Sequence, residues 1–332
     1  LNVASYQEIT LGYVISGSST AVNGAGSDYE FSAGTITFPA EVLANQTVTL
    51  TIHDDLLGEG DETVVLDLQT VTNATVGTNN LHTLTIVDDE GPTTVEFVAT
   101  TSTTAETETV VNVNVSIDIA PGSPVSVDYN LVGGGTNAED PEDYELTSAV
   151  PATISFPAGS MANQIVAVTI HGDLIYEQDE TVELVLQNPS GTNLGTNTNH
   201  TLTITDDEAQ PTVYFALANS SVIEADTTKV INISISHASE LATSVEYTLA
   251  GGNAEAADYD LIADPDTITF PAASTGDQTF AVTIHSDAVY EGNEYILLDL
   301  QNASALTISG VTQHSLQITD DEIQPTVEFD LA

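Results

Sequence analysis

The chain has 332 residues, 41% of them hydrophobic, and sets 50 acidic side chains against one base, Lys229, for a formal net charge of −49. With no positive surface to neutralise phosphate, a nucleic-acid partner is excluded, and ordinary surface ion pairs cannot form. Cysteine is absent, so disulfides and thiol chemistry are excluded too.

The apolar content is normal, so the charge does not signal disorder; the carboxylates either solvate the surface or collect cations. No stretch approaches the roughly 20 apolar residues of a membrane span. The chain opens on Leu1 without a visible leader and reads as a processed or excised piece of something longer.

Taken in order, Leu1-Asn2-Val3 is expected to be the second strand of a domain whose first strand is missing. Val48 to Ile52 alternates apolar and polar residues, as do Val64/Leu66/Leu68 and Leu84/Ile86, and Asp88-Asp89-Glu90 closes the series. Pro92 follows, then an expected first strand over 94–99 and an alternating run from Val111 to Ile117. The next first strand is expected over 212–218, followed by Val230 to Ile235. Period-two alternation buries one face of each strand, and Gly, Asn, Ser and Pro separate the runs.

The series repeats. Asp-Tyr stands at 28, 143 and 258, Phe-Pro-Ala at 38, 156 and 270, and the closing Asp-Asp-Glu at 88, 206 and 320. Intervals of 114 to 118 residues describe a whole domain rather than a solenoid unit. About seven short strands per interval predict an all-β protein of three tandem immunoglobulin-like antiparallel β-sandwiches. The expected domains are 1–90 (lacking its first strand), 91–208 and 209–322. Residues 323–332 are left as a spare first strand for a following domain or a neighbouring subunit. Short Pro-containing linkers predict a rod.

The carboxylates gather where strands end. Repeat 1 offers Asp28, Asp54, Asp55, Glu59, Glu62, Asp88, Asp89 and Glu90. Repeat 2 offers Glu106, Asp143, Asp173, Glu177, Glu180, Asp206, Asp207 and Glu208. Repeat 3 offers Glu224, Asp258, Asp287, Glu291, Glu294, Asp320, Asp321 and Glu322. Eight carboxylates brought to one pole repel strongly at short range. Hard oxygen ligands without imidazole or thiolate select Ca²⁺, which takes roughly 6–8 oxygens, so two or more ions per repeat are expected. Scattered acids such as Glu41, Asp67 and Glu183 are read as surface solvation.

Gly-Ser-Asp-Tyr-Glu-Phe (26–31), Gly-Thr-Ile-Thr-Phe (34–38), Asp-Asp-Leu-Leu-Gly-Glu-Gly-Asp-Glu (54–62) and Thr-Ile-Val-Asp-Asp-Glu (85–90) occur in the order of a known signature. At these residues the chain resembles the Calx-beta family, the calcium-binding sandwich of sodium/calcium exchangers and bacterial surface proteins. The resemblance implies ligands at the Asp of Asp-Tyr, the acids after the Ile-His strand, both Glu of the next loop, the closing triplet, and Glu106 or Glu224. Gly172 and Ser286 replace the acid at Asp54, which implies fewer or weaker ions there in repeats 2 and 3. Asp54, unique to repeat 1, is expected to compensate for a missing counterpart of Glu106.

The paired histidines His53/His82, His171/His200 and His285/His314 are expected to be hydrogen-bonded structural residues, with His82 facing the core. No nucleophile elbow, zinc motif or phosphate loop is found, so a non-enzymatic role is expected. The expected function is a calcium-rigidified structural protein of the cell exterior. It would be either a filament subunit joined head to tail to copies of itself by strand donation, or an adhesin stalk among flanking repeats of a longer chain. A glycan- or protein-binding adhesion module is the alternative.

Overall fold

A computed structural model describes residues 1–132, 137–225 and 227–329. Among these residues there is no helix, and every regular element is a β-strand.

Repeat 2 is a sandwich of two five-stranded sheets. One has the order Tyr144–Leu146, Gln164–Ile170, Thr109–Ile117, Thr94–Phe97, Asn193–Leu194, and the other Ala152–Phe156, Val125–Leu131, Glu180–Ser190, Asn199–Thr205, Thr101–Ala105. Repeat 3 has the same two orders with its own strands. The alternation places Val166, Val168 and Ile170, and Val182, Leu184 and Leu186, in one core together with Phe97 and Phe156. Burying such side chains contributes roughly 1.5–3 kcal/mol each. The long strand Glu180–Ser190 carries a bulge opposite Ser126 and Asp128, where Asn188 takes a left-handed φ of 50° that asparagine tolerates better than most residues.

The first strand is divided between the sheets. Thr94–Phe97 runs antiparallel to Thr109–Ile117, and then Thr101–Ala105 crosses over to run parallel to the last strand, Asn199–Thr205. Five residue pairs, Thr201↔Thr101 to Thr205↔Ala105, stand in unbroken register. The crossover leaves Glu106 at the end of that strand, beside the closing triplet, where its N–H donates to the Thr205 carbonyl (2.8 Å).

Repeat 1 departs from expectation. Ile9 faces Phe38 as Val125 faces Phe156 and Thr243 faces Phe270, so Ile9–Ile15 is the counterpart of Val125–Leu131. Residues 1–8 form no strand, and Val3 is 66% exposed. Repeat 1 therefore lacks counterparts of Thr94–Phe97, Thr101–Ala105 and Thr109–Ile117 among the described residues, not of the first strand alone. The consequence is local fraying. The alternating run from Val48 keeps only Thr51–Ile52 as strand, paired with Tyr29–Glu30, because the neighbour that Thr109–Ile117 supplies in repeat 2 is not there to complete its ladder. The buried core shrinks to Ala21, Tyr29, Phe31 and Val64 with half-buried residues around them. An apolar groove of about 480 Å³ opens over one face of the four-stranded sheet of repeat 1, lined by Ile9, Tyr13, Phe38, Leu66 and Leu68 among others.

Adjacent repeats touch through backbone. Ala120-Pro121 pairs in parallel with Leu57-Gly58, and Ser239 bridges to Tyr176 at the next junction. Residues 325–329 form no strand. Val327 and Phe329 are 100% and 94% exposed, whereas Val95 and Phe97, at the matching places in repeat 2, are wholly buried. The last three residues of the expected spare strand, 330–332, lie outside the described residues.

Candidate metal centres

Each pole is assembled by aspartates that fix its loops and glutamates that project into the space between them. After the Ile-His strand, the Asp55, Asp173 and Asp287 carboxylates accept the N–H two residues on, from Leu57 (2.8 Å), Ile175 (2.6 Å) and Val289 (2.6 Å). This is the local turn that aspartate favours. The first acid of the closing triplet ties down the following loop. Asp88 accepts from Gly60 (2.9 Å), Asp206 from Glu177 (3.1 Å), and Asp320 from Glu291 (3.0 Å) and Gly292 (2.6 Å). The Asp of each Asp-Tyr is held by the N–H of Val22, Glu139 or Glu255.

Two subsites result in each of the first two repeats. Asp28, Glu59 and Glu62 bring ligand oxygens within 4.8 Å of one another, as do Asp143, Glu177 and Glu180. The second subsite is Asp54, Asp89 and Glu90 in repeat 1, Glu106, Asp206 and Glu208 in repeat 2, and Glu224, Asp320 and Glu322 in repeat 3. In repeat 3, burial, then Asp258 and the Glu291 charge, pushes Glu294 up to about 7. All eight carboxylates expected in repeat 1 line one cavity of about 120 Å³. Asp55, Asp88, Asp173 and Asp287 orient the loops, and their charge adds to burial in raising the pKa of Glu59, Glu106 and Glu291. Asp207 and Asp321 stand exposed at the rim, next to Glu208 and Glu322.

Asp54 groups with Asp89 and Glu90, whereas Glu106 groups with Asp206 and Glu208, the counterparts of Asp88 and Glu90. The loop ending in Glu106 presses on Gly172, where a Cβ would lie 2.7 Å from the Glu106 carbonyl oxygen. A side chain at 172 would force that loop to shift, although repeat 3 keeps Ser286 at the matching place beside the Glu224 loop. Among the described residues repeat 1 has no such loop, and Asp54 stands beside Asp89 and Glu90.

These carboxyls resist ionisation. Burial, then neighbouring charge, pushes Glu106 up to about 8 and Glu177 to about 7. Burial and a hydrogen bond to Asp143 push Glu180 to about 8, and burial with a hydrogen bond to Asp28 pushes Glu62 to about 7. Glu106 is 5% exposed. Glu208 and Glu322 each hold a buried carboxylate oxygen with no hydrogen-bond partner among the described residues. A buried acceptor without a donor costs about 1–3 kcal/mol or more, and a divalent cation removes that cost along with the repulsion. The donor set, all oxygen and flexible, suits Ca²⁺ in number and hardness.

The histidines divide by repeat. His200 and His314 are buried and join Ser102 (2.8 Å) and the Ala99 carbonyl (2.7 Å), or Ser220 (2.9 Å) and the Leu217 carbonyl (2.6 Å). His82 was expected to face the core, but it is exposed at the open groove, because repeat 1 has no counterpart of Thr101–Ala105 to cover it. His285 bonds Asp260 (2.9 Å) and His171 lies 3.4 Å from Glu108. His53, by contrast, lines the acidic cavity with its Nε2 buried and unpartnered.

Sequence reasoning missed Glu240. It sits far from the pole of repeat 2 in sequence, yet its charge acts on Glu177 and Glu180. The one available signal was its place in the loop that follows Ile235, where repeat 2 has Gly122.

Fold and poles together define a tandem all-β protein with an acidic constellation at the end of each sandwich. The Calx-beta domain model matches residues 7–90, 88–208 and 206–322, and the chain belongs to that family. Among solved structures it is similar to CBD12 from CALX1.2, with 16% identity over 68% of this chain and 99% of that one (TM-score 0.32). It is similar also to the apo-form Calx CBD1 domain, with 21% identity over 34% and 99% (TM-score 0.31). A carbohydrate-binding protein from Bacteroides ovatus, so described in its name with reservation, shows 13% identity over 66% and 71% (TM-score 0.31). A comparison with the curated proteins finds no match. No helix among the described residues is long and apolar enough to cross a membrane.

Proposed function

We propose that the chain is a non-enzymatic, calcium-binding structural protein of the cell exterior, in which Ca²⁺ at the poles stiffens the joints between repeats. The observation that carries this reading is the set of buried, donor-less carboxylate oxygens at Glu208 and Glu322, each within 4.8 Å of two further carboxylates. Surface solvation explains exposed acids and does not explain buried ones. Titration of the full chain with CaCl₂ by calorimetry should give several ions per chain, two or more for each repeat. It should also raise the melting temperature, since a ligand at 100 times its Kd adds about 2.7 kcal/mol. Absence of binding at millimolar CaCl₂ would refute the reading.

We further propose that residues 323–332 of one copy enter the gap left by the missing strands of repeat 1 in the next, and that copies of the chain join head to tail into a filament. Support comes from the open apolar groove of repeat 1 and from Val327 and Phe329, exposed side chains of the kind that are buried as Val95 and Phe97 in repeat 2. Removal of residues 323–332 should abolish filaments seen by electron microscopy in CaCl₂. A full chain that stays monomeric there would refute self-assembly and leave the stalk reading, with flanking repeats supplying the strand.

A further inference from the structure

One backbone joint occurs twice within the chain. At the first junction Ala120-Pro121 pairs with Leu57-Gly58, and Gly122 donates its N–H to the Gly58 carbonyl (3.1 Å). At the second, Tyr176 donates to the Ala238 carbonyl (3.0 Å), Glu240 donates to the Tyr176 carbonyl (3.0 Å), and Ser239 stands opposite Tyr176. Gly58 and Tyr176 hold the same place, three residues after Asp55 or Asp173.

Both halves of this joint also stand unpaired in the described chain. On repeat 3 the matching residue is Tyr290, three residues after Asp287 and a tyrosine like Tyr176. Its backbone makes no hydrogen bond among the described residues. Val289 and Tyr290 are 56% and 40% exposed, where Ile175 and Tyr176 are half-buried. On repeat 1 the other half is Ala4-Ser5, which repeats the dipeptide Ala238-Ser239. Ser5 stands four residues before Ile9, as Pro121 and Ser239 stand before Val125 and Thr243. Ala238 and Ser239 are buried at their joint, whereas Ala4 is exposed.

The free half on repeat 1 already has the shape of the occupied ones. The Ser5 carbonyl accepts from the Glu41 N–H (2.7 Å), as Pro121 accepts from Gly159 (2.8 Å) and Ser239 from Ala273 (2.7 Å). Glu41, Gly159 and Ala273 all take a left-handed φ, of 62°, 67° and 54°. That region is uncommon for residues other than glycine, so its recurrence marks one turn kept in all three repeats. The turn holds in repeat 1 although residues 1–8 form no strand.

We propose that these two surfaces bind each other between copies of the chain, Tyr290 of one copy pairing with Ala4-Ser5 of the next. The Tyr290 N–H would donate to the Ala4 carbonyl, and the Tyr290 carbonyl would accept from the Tyr6 N–H. The proposal rests on the head-to-tail reading above and adds to it a second attachment, made by a loop of repeat 3 instead of residues 323–332. The two surfaces differ, so the contact is heterologous and propagates. Each attachment raises the effective concentration of the other.

The chain contains no cysteine, so a disulfide can report the register. Residues opposite each other on paired strands lie about 4.8 Å apart, within the roughly 4.4–6.8 Å between Cα atoms that a disulfide spans. The full chain carrying Ser5→Cys and Tyr290→Cys, oxidised in CaCl₂, should give a ladder of linked multimers on denaturing gels, lost on reduction. Ser5→Cys combined with Val230→Cys, on the 53% exposed face of strand Thr227–Ile235, should give no ladder. Filaments that cross-link no better through Tyr290→Cys than through Val230→Cys would overturn this joint and leave strand donation intact. Chains that neither form filaments nor cross-link would overturn both readings.

Discussion

Asp54 and Glu106 each join two acids of a closing triplet from different parts of the fold. In repeat 2 the loop before Thr109 delivers a glutamate and packs on a glycine; in repeat 1, which lacks that loop among its described residues, an aspartate stands at the matching place. The exchange yields two tests. Asp54→Ala should lower the number of Ca²⁺ ions bound per chain by calorimetry while leaving the poles of repeats 2 and 3 unchanged, and an unaltered stoichiometry would refute the compensation. Gly172→Ala puts a methyl 2.7 Å from the Glu106 carbonyl oxygen and 3.2 Å from the Thr107 Cα. Both neighbours are backbone, so the loop must move, at about 1–3 kcal/mol. The melting of repeat 2 should fall accordingly, with weaker Ca²⁺ binding. The acid at 54 was legible as an exception in a threefold pattern. The reason for glycine at 172 was not, because it depends on a contact between residues more than sixty apart in the chain.

At the scale of the element, the divided first strand carries both order and ligand. Its second half is clamped by a buried histidine of the last strand, His200 or His314, which bonds a serine side chain and a carbonyl of the crossing segment. His200→Ala removes both partners from a buried site and should cost about 2–4 kcal/mol. Hydrogen exchange should show the Thr101–Ala105 ladder opening first. Strand alternation was readable throughout repeats 2 and 3, because two-sided partners realise it. The same alternation over Val48–Ile52 misled, because a strand needs a neighbour as well as a pattern, and Leu1–Val3 failed for the same reason.

For the whole molecule, the raised glutamates set how stability follows pH. Glu106 and Glu180 titrate near 8, and Glu62, Glu177 and Glu294 near 7, in the folded chain, all above the ordinary 4.5. Between those values the folded state binds more protons than the unfolded one, so the stability they contribute is full below 4.5 and is lost as pH rises through 7 to 8. In EDTA the melting temperature should therefore be higher at pH 5 than at pH 8. In saturating CaCl₂ the order should reverse, because the cation binds the ionised form and releases protons on binding. Scanning calorimetry at both pH values, with and without the metal, checks the sign. The acidic constellation was visible in sequence because it recurs three times. Its division into subsites and the reach of Glu240 across a junction were not, since both depend on how loops converge.

The parallel pairing of each divided first strand with the last strand also has a mechanical consequence. Tension applied along the chain pulls the two strands of one repeat in opposite directions. The five registered pairs from Thr101/Thr201 to Ala105/Thr205 are then loaded together in shear, and cannot be peeled apart one by one. Repeat 3 has the same arrangement over Asn219/Ser315 to Ile223/Thr319. Repeat 1 has no such ladder among its described residues, so under load it should yield first unless an added strand completes it.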